Sequence, residues 1–163
     1  MDFLKVSLKS QKKKICNILK YQATEITYNM PNFIKNFVDW FKLKPKLDQN
    51  LKIPVFREGE VWWCHLGENI GFEENGKGDQ FLRPVIILHK FNNRLFYGLP
   101  TSTKIKDNQF YFQMTIKDKP ISVLMSQMRA IDVKRLMYKK TKISDNELNI
   151  LKKKMSKLIL GKN

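Results

Sequence analysis

Residues 59–66 read Gly59-Glu60-Val61-Trp62-Trp63-Cys64-His65-Leu66. β-Branched and aromatic side chains packed behind a glycine are the composition of a strand. This run marks where the texture of the chain changes. Downstream of it, short β-rich runs recur at 60–66, 83–89, 94–99, 109–116 and 121–129, divided by turns that carry Gly, Asn and Asp. Closely spaced short strands with tight turns predict a small barrel rather than a parallel sheet. The loop at 67–80 is long and holds Gly67, Gly71, Gly76 and Gly78. Loops of this length in compact domains are often functional.

Upstream, the periods are helical. Leu4, Leu8, Ile15, Ile18 and Leu19 fall on one face of a helix over 3–22, with lysines elsewhere. Pro31 suits the first position of a second helix reaching about residue 43, with Phe33, Ile34, Phe37, Trp40 and Phe41 as its apolar face. Residues 45–50 read as a polar linker. After Ile131 the pattern turns helical again. Ser144 and Glu147 form a capping box, Leu148, Leu151, Met155, Leu158 and Ile159 the following stripe, and Gly161 the stop. The expected architecture is mainly β with helical flanks: a basic helical extension over 1–50, then a barrel with a C-terminal helix over 51–163.

The net charge of +16 over 163 residues is unevenly spread. Residues 1–50 hold 10 basic and 4 acidic side chains, residues 51–132 hold 11 and 9, and residues 133–163 hold 10 and 2. The centre is nearly neutral and the ends are strongly positive, which attracts a polyanion without regard to sequence. Solubilising lysine faces are the plainer reading of the same charges. The two cysteines, Cys16 and Cys64, are too few for a disulfide framework or a zinc site, and as reduced thiols they fit a cytoplasmic protein. No apolar run approaches the roughly 20 residues that span a bilayer.

Four motifs follow one another over about 80 residues of the β-rich part. They are the strand at 59–66; Gly71-Phe72-Glu73 leading to Arg83-Pro84 and the apolar Val85-Ile86-Ile87-Leu88; Leu99-Pro100-Thr101-Ser102-Thr103-Lys104; and an apolar strand closing on Gln127-Met128-Arg129-Ala130-Ile131-Asp132 with Lys134-Arg135-Leu136. In this order they resemble the MazF/PemK (Kid) family of toxin endoribonucleases. Three departures stand out: the added stretch 77–81, Phe72 where some members place a histidine, and Ser102 where a threonine is usual. Residues 1–50 match nothing in that family.

The resemblance implies an SH3-like barrel of the CcdB/PemK type, a homodimer, an acidic antitoxin as partner, single-stranded RNA as substrate, and no metal or other cofactor. The implied reaction is attack of a ribose 2′-hydroxyl on the adjacent phosphorus, leaving a 2′,3′-cyclic phosphate and a 5′-hydroxyl. Such a site must align the attack, stabilise added negative charge and manage protons. Arg83 has the planar fork for phosphate oxygens, Ser102 a hydroxyl donor, and Glu73 a carboxylate for proton transfer or loop organisation. Thr101, Thr103, Lys104 and Lys77 are the candidate RNA contacts. His65 sits mid-strand and reads as structural. Trp62, Trp63 and Tyr97 offer faces for base stacking, with core packing the better reading for at least one tryptophan. Gln127 and Arg129 read as anchors.

Two other classes fit the same residues. One is a non-catalytic barrel that binds nucleic acid or a protein, gyrase-poison toxins included. The other is a peripheral membrane protein that uses the N-terminal apolar face and its lysines, a less favoured reading. If the basic ends supply the non-specific attraction, deleting residues 1–50 flattens the salt dependence of RNA binding, at about 0.7 in log–log slope for each single-strand phosphate no longer neutralised. A soluble truncation with an unchanged slope removes the N-terminal charge from RNA binding.

Overall fold

A computed structural model describes residues 32–161. The chain divides into two compact units, 1–39 and 40–163. Of the first unit, the described part is the opening of helix α1 (Asn32–Asp48); the helix expected over 3–22 lies outside the described residues. The second unit holds the rest of α1, strands β1 (Glu60–His65), β2 (Leu82–Lys90), β3 (Leu95–Ser102), β4 (Tyr111–Ile116), β5 (Lys119–Leu124), β6 (Arg129–Asp132) and β7 (Leu136–Lys142), and helix α2 (Asp145–Leu160).

The strands pair antiparallel in the order β4-β5-β3-β2-β1-β7, with β6 added on β3. The path is open, with β4 and β7 at its ends and unpaired with each other, so the sheet does not close into the expected barrel, while the mainly β class with helical flanks is as expected. Its centre, β1 and β2, is buried on both faces. Val61, Ile86 and Leu88 enter one apolar cluster with Leu99, Val123 and the α2 residues Leu148, Leu151 and Met155. Trp62, Cys64, Val85 and Ile87 enter a second with Phe56, Phe96 and Val133. The unbroken apolar run 85–88 is what a strand covered on both sides requires.

Glutamates ahead of and at the start of β1 fasten it to its neighbours. Glu60 is buried and accepts from the Trp62 indole at 2.9 Å, the Arg57 amide at 3.0 Å and Lys139 of β7 at 2.8 Å. Glu58 accepts from the Lys90 amide at 2.8 Å and from Lys152 of α2 at 2.5 Å. Burial raises both carboxyls, but these donors outweigh it and hold them below the ordinary carboxylate range.

Three sequence expectations need correction. The segment before α2 is strand β7, not helix; from Met137 to Lys140 every side chain is exposed, so the edge strand shows no apolar alternation. The single run 121–129 is two strands split by a 3₁₀ turn, Met125–Gln127. The 45–50 linker begins inside α1, which carries Pro45 and ends at Asp48. The C-terminal helix is as expected. Ser144 and Glu147 make a full capping box, and Gly161 caps the other end in the left-handed conformation at φ 61°. Among the described residues no helix is long and apolar enough to cross a membrane.

Leu151 is completely buried where α2 meets the sheet. Leu151→Ala should lower the unfolding free energy by about 2–5 kcal/mol, and Ser144→Ala by about 1 kcal/mol. Denaturant titration measures both; a cap loss exceeding the core loss would mean that α2 is held by its own end rather than by packing.

Candidate functional site

The long loop after β1 is held by side chains from three directions. Gly76 donates to the Gly67 carbonyl at 2.8 Å and closes the loop base. Within it, Asn75 accepts from the Asn69 amide at 2.7 Å and donates to Glu68 at 2.6 Å. From across the molecule, Gln127 accepts from the Glu74 amide at 2.9 Å and donates to the Phe72 carbonyl at 3.1 Å. Arg129 donates to the Glu74 carbonyl at 3.0 Å. The Gln127–Arg129 motif is thus a clasp on the loop backbone.

Arg83 is the third support. It is 5% exposed. Its Nε donates to the Asn75 carbonyl at 2.7 Å, its Nη1 to the Thr101 carbonyl at 3.2 Å, and its Nη2 makes an ion pair with Glu74. Burial lowers the guanidinium from its ordinary value, and Glu74 opposes that shift. A guanidinium has five N–H donors, and these contacts use three. The same side chain also lines a cleft.

That cleft, about 420 Å³, gathers most of the residues singled out in the sequence. Arg83, Thr101, Ser102, Thr103 and Lys77 all line it. Thr101 is buried and its hydroxyl donates to the Pro84 carbonyl at 3.1 Å, which fixes β2 to β3. Ser102 accepts from the Lys104 amide at 3.1 Å, so its own O–H remains free to donate. Lys104 itself is exposed and outside the lining. Lys77 arrives through the added stretch 77–81, a tight hairpin in which Lys77 and Leu82 exchange backbone bonds at 2.8 and 3.0 Å and Gly78 accepts from Phe81 at 2.9 Å. No carboxylate lies among the described residues lining the cleft.

Glu73 is elsewhere. It lines a second concavity with Ile70, Phe72, Gln127 and Arg129. Its carboxylate accepts weakly from the Ile70 amide at 3.5 Å, and it is the first carboxylate that Arg129 senses. The expected grouping of Arg83, Ser102 and Glu73 in one site is therefore not what the structure brings together.

His65 is buried; its Nδ1 donates to the Gln80 carbonyl at 2.7 Å, and burial lowers its pKa. This is the structural histidine expected. Burial pushes the Cys64 thiol up to about 12, leaving it inert. Among the described residues no three His, Cys, Asp or Glu side chains cluster as metal ligands would. Sequence reading missed Tyr138 and Lys140 in the cleft wall, both on the unforeseen β7. Their only signal is the register that sets Tyr138 opposite Trp63.

A family model described as PemK-like, MazF-like toxin of type II toxin–antitoxin system matches residues 57–159. No curated protein matches the sequence. Among solved structures, the chain resembles a MazF from Deinococcus radiodurans at 18% identity and TM-score 0.52, over 67% of this chain and 99% of that one. It also resembles an endoribonuclease from a mycobacterial species, solved with its cognate antitoxin, at 13% identity and TM-score 0.51, over 67% and 98%. At these identities the likeness is one of fold. Residues 1–56 lie outside the family match.

Arg83 holds the loop as well as lining the cleft. Arg83→Ala should therefore cost about 1–3 kcal/mol of stability, since it removes the donors to the Asn75 and Thr101 carbonyls and leaves the partly exposed Glu74 unpaired. Ser102→Ala, at the half-buried cleft surface, should cost less than about 1 kcal/mol. Equal unfolding midpoints for Arg83→Ala and the parent would show that the clasp does not form in solution.

Proposed function

Because this chain belongs to the PemK-like, MazF-like toxin family of type II toxin–antitoxin systems, we propose that it is an endoribonuclease that cuts single-stranded RNA at short motifs in the cleft beside Arg83. The observation that carries this reading is the chemistry of the cleft walls: cations and hydroxyls converge there, and among the described lining residues there is no carboxylate, Glu74 touching Arg83 from outside the lining. Lys77 and Lys140 make no ion pair among the described residues. A phosphodiester is the ligand such walls suit.

In this reading the ribose 2′-oxygen bonds to phosphorus and the 5′-oxygen leaves, taking up a proton as the 2′ proton is lost. Arg83 offers its two unused N–H groups to the non-bridging oxygens where charge accumulates. Ser102 donates its hydroxyl to the same phosphate. Arg83 is held in place before substrate arrives, so little reorganisation opposes the step. Thr101 acts through position, keeping β2 and β3 in register. Glu73, in the other concavity, organises the loop; solvent at the open cleft takes the 2′ proton and supplies the one that the 5′-oxygen gains. Lys104 and Thr103 extend the contact surface at the rim.

The family reading also carries its partners. The protein acts as a homodimer in the cytoplasm, and an acidic antitoxin neutralises it, matched to a chain of net charge +16. Residues 1–50 add 10 basic and 4 acidic side chains to that charge.

The test is incubation of a long RNA with the full chain in EDTA, with the new ends mapped. Cleavage at a recurring motif with cyclic phosphate and 5′-hydroxyl ends is expected. Ser102→Ala should slow it about tenfold or more, and Ser102→Thr should retain most of it. RNA that stays intact despite tight binding identifies a non-catalytic binding barrel instead.

A further inference from the structure

Trp63 and Tyr138 stand opposite one another across β1 and β7. Their ring centroids are 6.2 Å apart and their planes are tilted by 41°. Tyr138 is 50% exposed. Trp63 differs from its neighbour Trp62, which is 8% exposed and hydrogen-bonded to Glu60. The aromatic pair is thus not consumed by the core, and it forms one end of the Arg83 cleft. The Lys140 ammonium lies 5.4 Å from the centre of the Trp63 ring.

On its other side Trp63 pairs with Pro84, whose carbonyl accepts the Thr101 hydroxyl. Tyr138, Trp63, Pro84 and Thr101 therefore make one transverse row across four strands. Strands lie about 4.8 Å apart, so two spacings separate Trp63 from Thr101, roughly 10 Å. A base belonging to a nucleotide next to the phosphate at Ser102 can reach that distance. The row offers ring faces at one end and hydroxyls beside a guanidinium at the other. A flat, uncharged group carried on a polyanion fits both ends at once.

We propose that Trp63 and Tyr138 form a stacking subsite for one unpaired nucleobase flanking the scissile phosphate, with Lys140 leaving the indole face to contact the adjoining phosphate. The inference rests on the RNA-cleavage reading and adds residues that select single-stranded context. In the row, the residue paired with Trp63 on the side away from Tyr138 is Pro84, whose side chain can neither donate nor accept a hydrogen bond. Selection here is for an unstacked base rather than for its Watson–Crick edge. An exposed tyrosine on an edge strand is thereby given a task that folding does not require of it.

The probe is a 2′-deoxy oligonucleotide of eight residues, which lacks the attacking hydroxyl, bound to the full chain and followed by fluorescence anisotropy. Tyr138→Leu should weaken binding roughly five- to hundredfold, while Tyr138→Phe should bind like the parent. An abasic residue moved along the probe should weaken parent binding at one position more than at any other. At that position the Leu variant should show no further loss. Lys140→Gln should lower the salt slope by about 0.7 without moving the sensitive position. Parent-like affinity in Tyr138→Leu across the whole abasic series overturns the subsite, and so does a Phe variant as weak as the Leu one. If the abasic pattern holds but the parent leaves RNA intact, the subsite stands and the cleavage reading falls. If RNA is cut while Tyr138→Leu binds and cuts unchanged, the reverse follows.

Discussion

A guanidinium buried against a sheet must have partners, and Arg83 finds them in the loop that follows β1. Its ion pair with Glu74 and its bonds to the carbonyls of Asn75 and Thr101 meet the desolvation of the charge. The same contacts hold a long, glycine-bearing loop against β2 and β3. Gln127 and Arg129 grip the other side of Glu74 through its backbone. One residue of the loop is therefore fixed at its amide, carbonyl and carboxylate. Lys77 and Gly78, at the end of this loop, form part of the cleft wall.

That constraint explains the separation of the two concavities. On one side of the clasp lie Arg83, Ser102, Thr103 and Lys77, with Trp63 and Tyr138 beyond them. On the other lie Glu73 and the strongly exposed Phe72 and Ile70. The first is lined by three cations, Arg83, Lys77 and Lys140, and among the described residues by no carboxylate. The second has an acid beside a half-buried arginine that already senses it. On the proposed reading, structural and functional demands on Arg83 coincide, because the contacts that satisfy its charge also fix the orientation of its guanidinium. Position 77, supplied by the added hairpin, brings a lysine to the first concavity and none to the second.

Much of this was legible in the sequence where burial dictated the residues. Val85-Ile86-Ile87-Leu88 read as a strand, and the structure covers it on both faces; Ser144 with Glu147 read as a helix start, and it is one. Strand β7 was illegible because its side chains from Met137 to Lys140 face solvent, where apolar alternation has no energetic reason to persist. Missing β7 meant missing Tyr138 and Lys140, which reach the cleft only by pairing with β1. Pro45 misled in the opposite sense: it reads as a breaker, yet its fixed φ is helical and it sits in the last turn of α1. The grouping of Arg83 with Ser102 followed from the motifs. The displacement of Glu73 did not, because the clasp joins positions more than 50 residues apart.

The central claim is that the Arg83 cleft, and not the Glu73 concavity or the basic N-terminal segment, receives the RNA. Backbone amide chemical shifts of the full chain, titrated with a short 2′-O-methyl RNA that cannot be cleaved, test it directly. The account predicts that the largest changes fall at Lys77, Gly78, Ser102, Thr103, Tyr138 and Lys140. Changes confined to Ile70, Phe72, Glu73 and Met128, with the cleft amides unmoved, would contradict it.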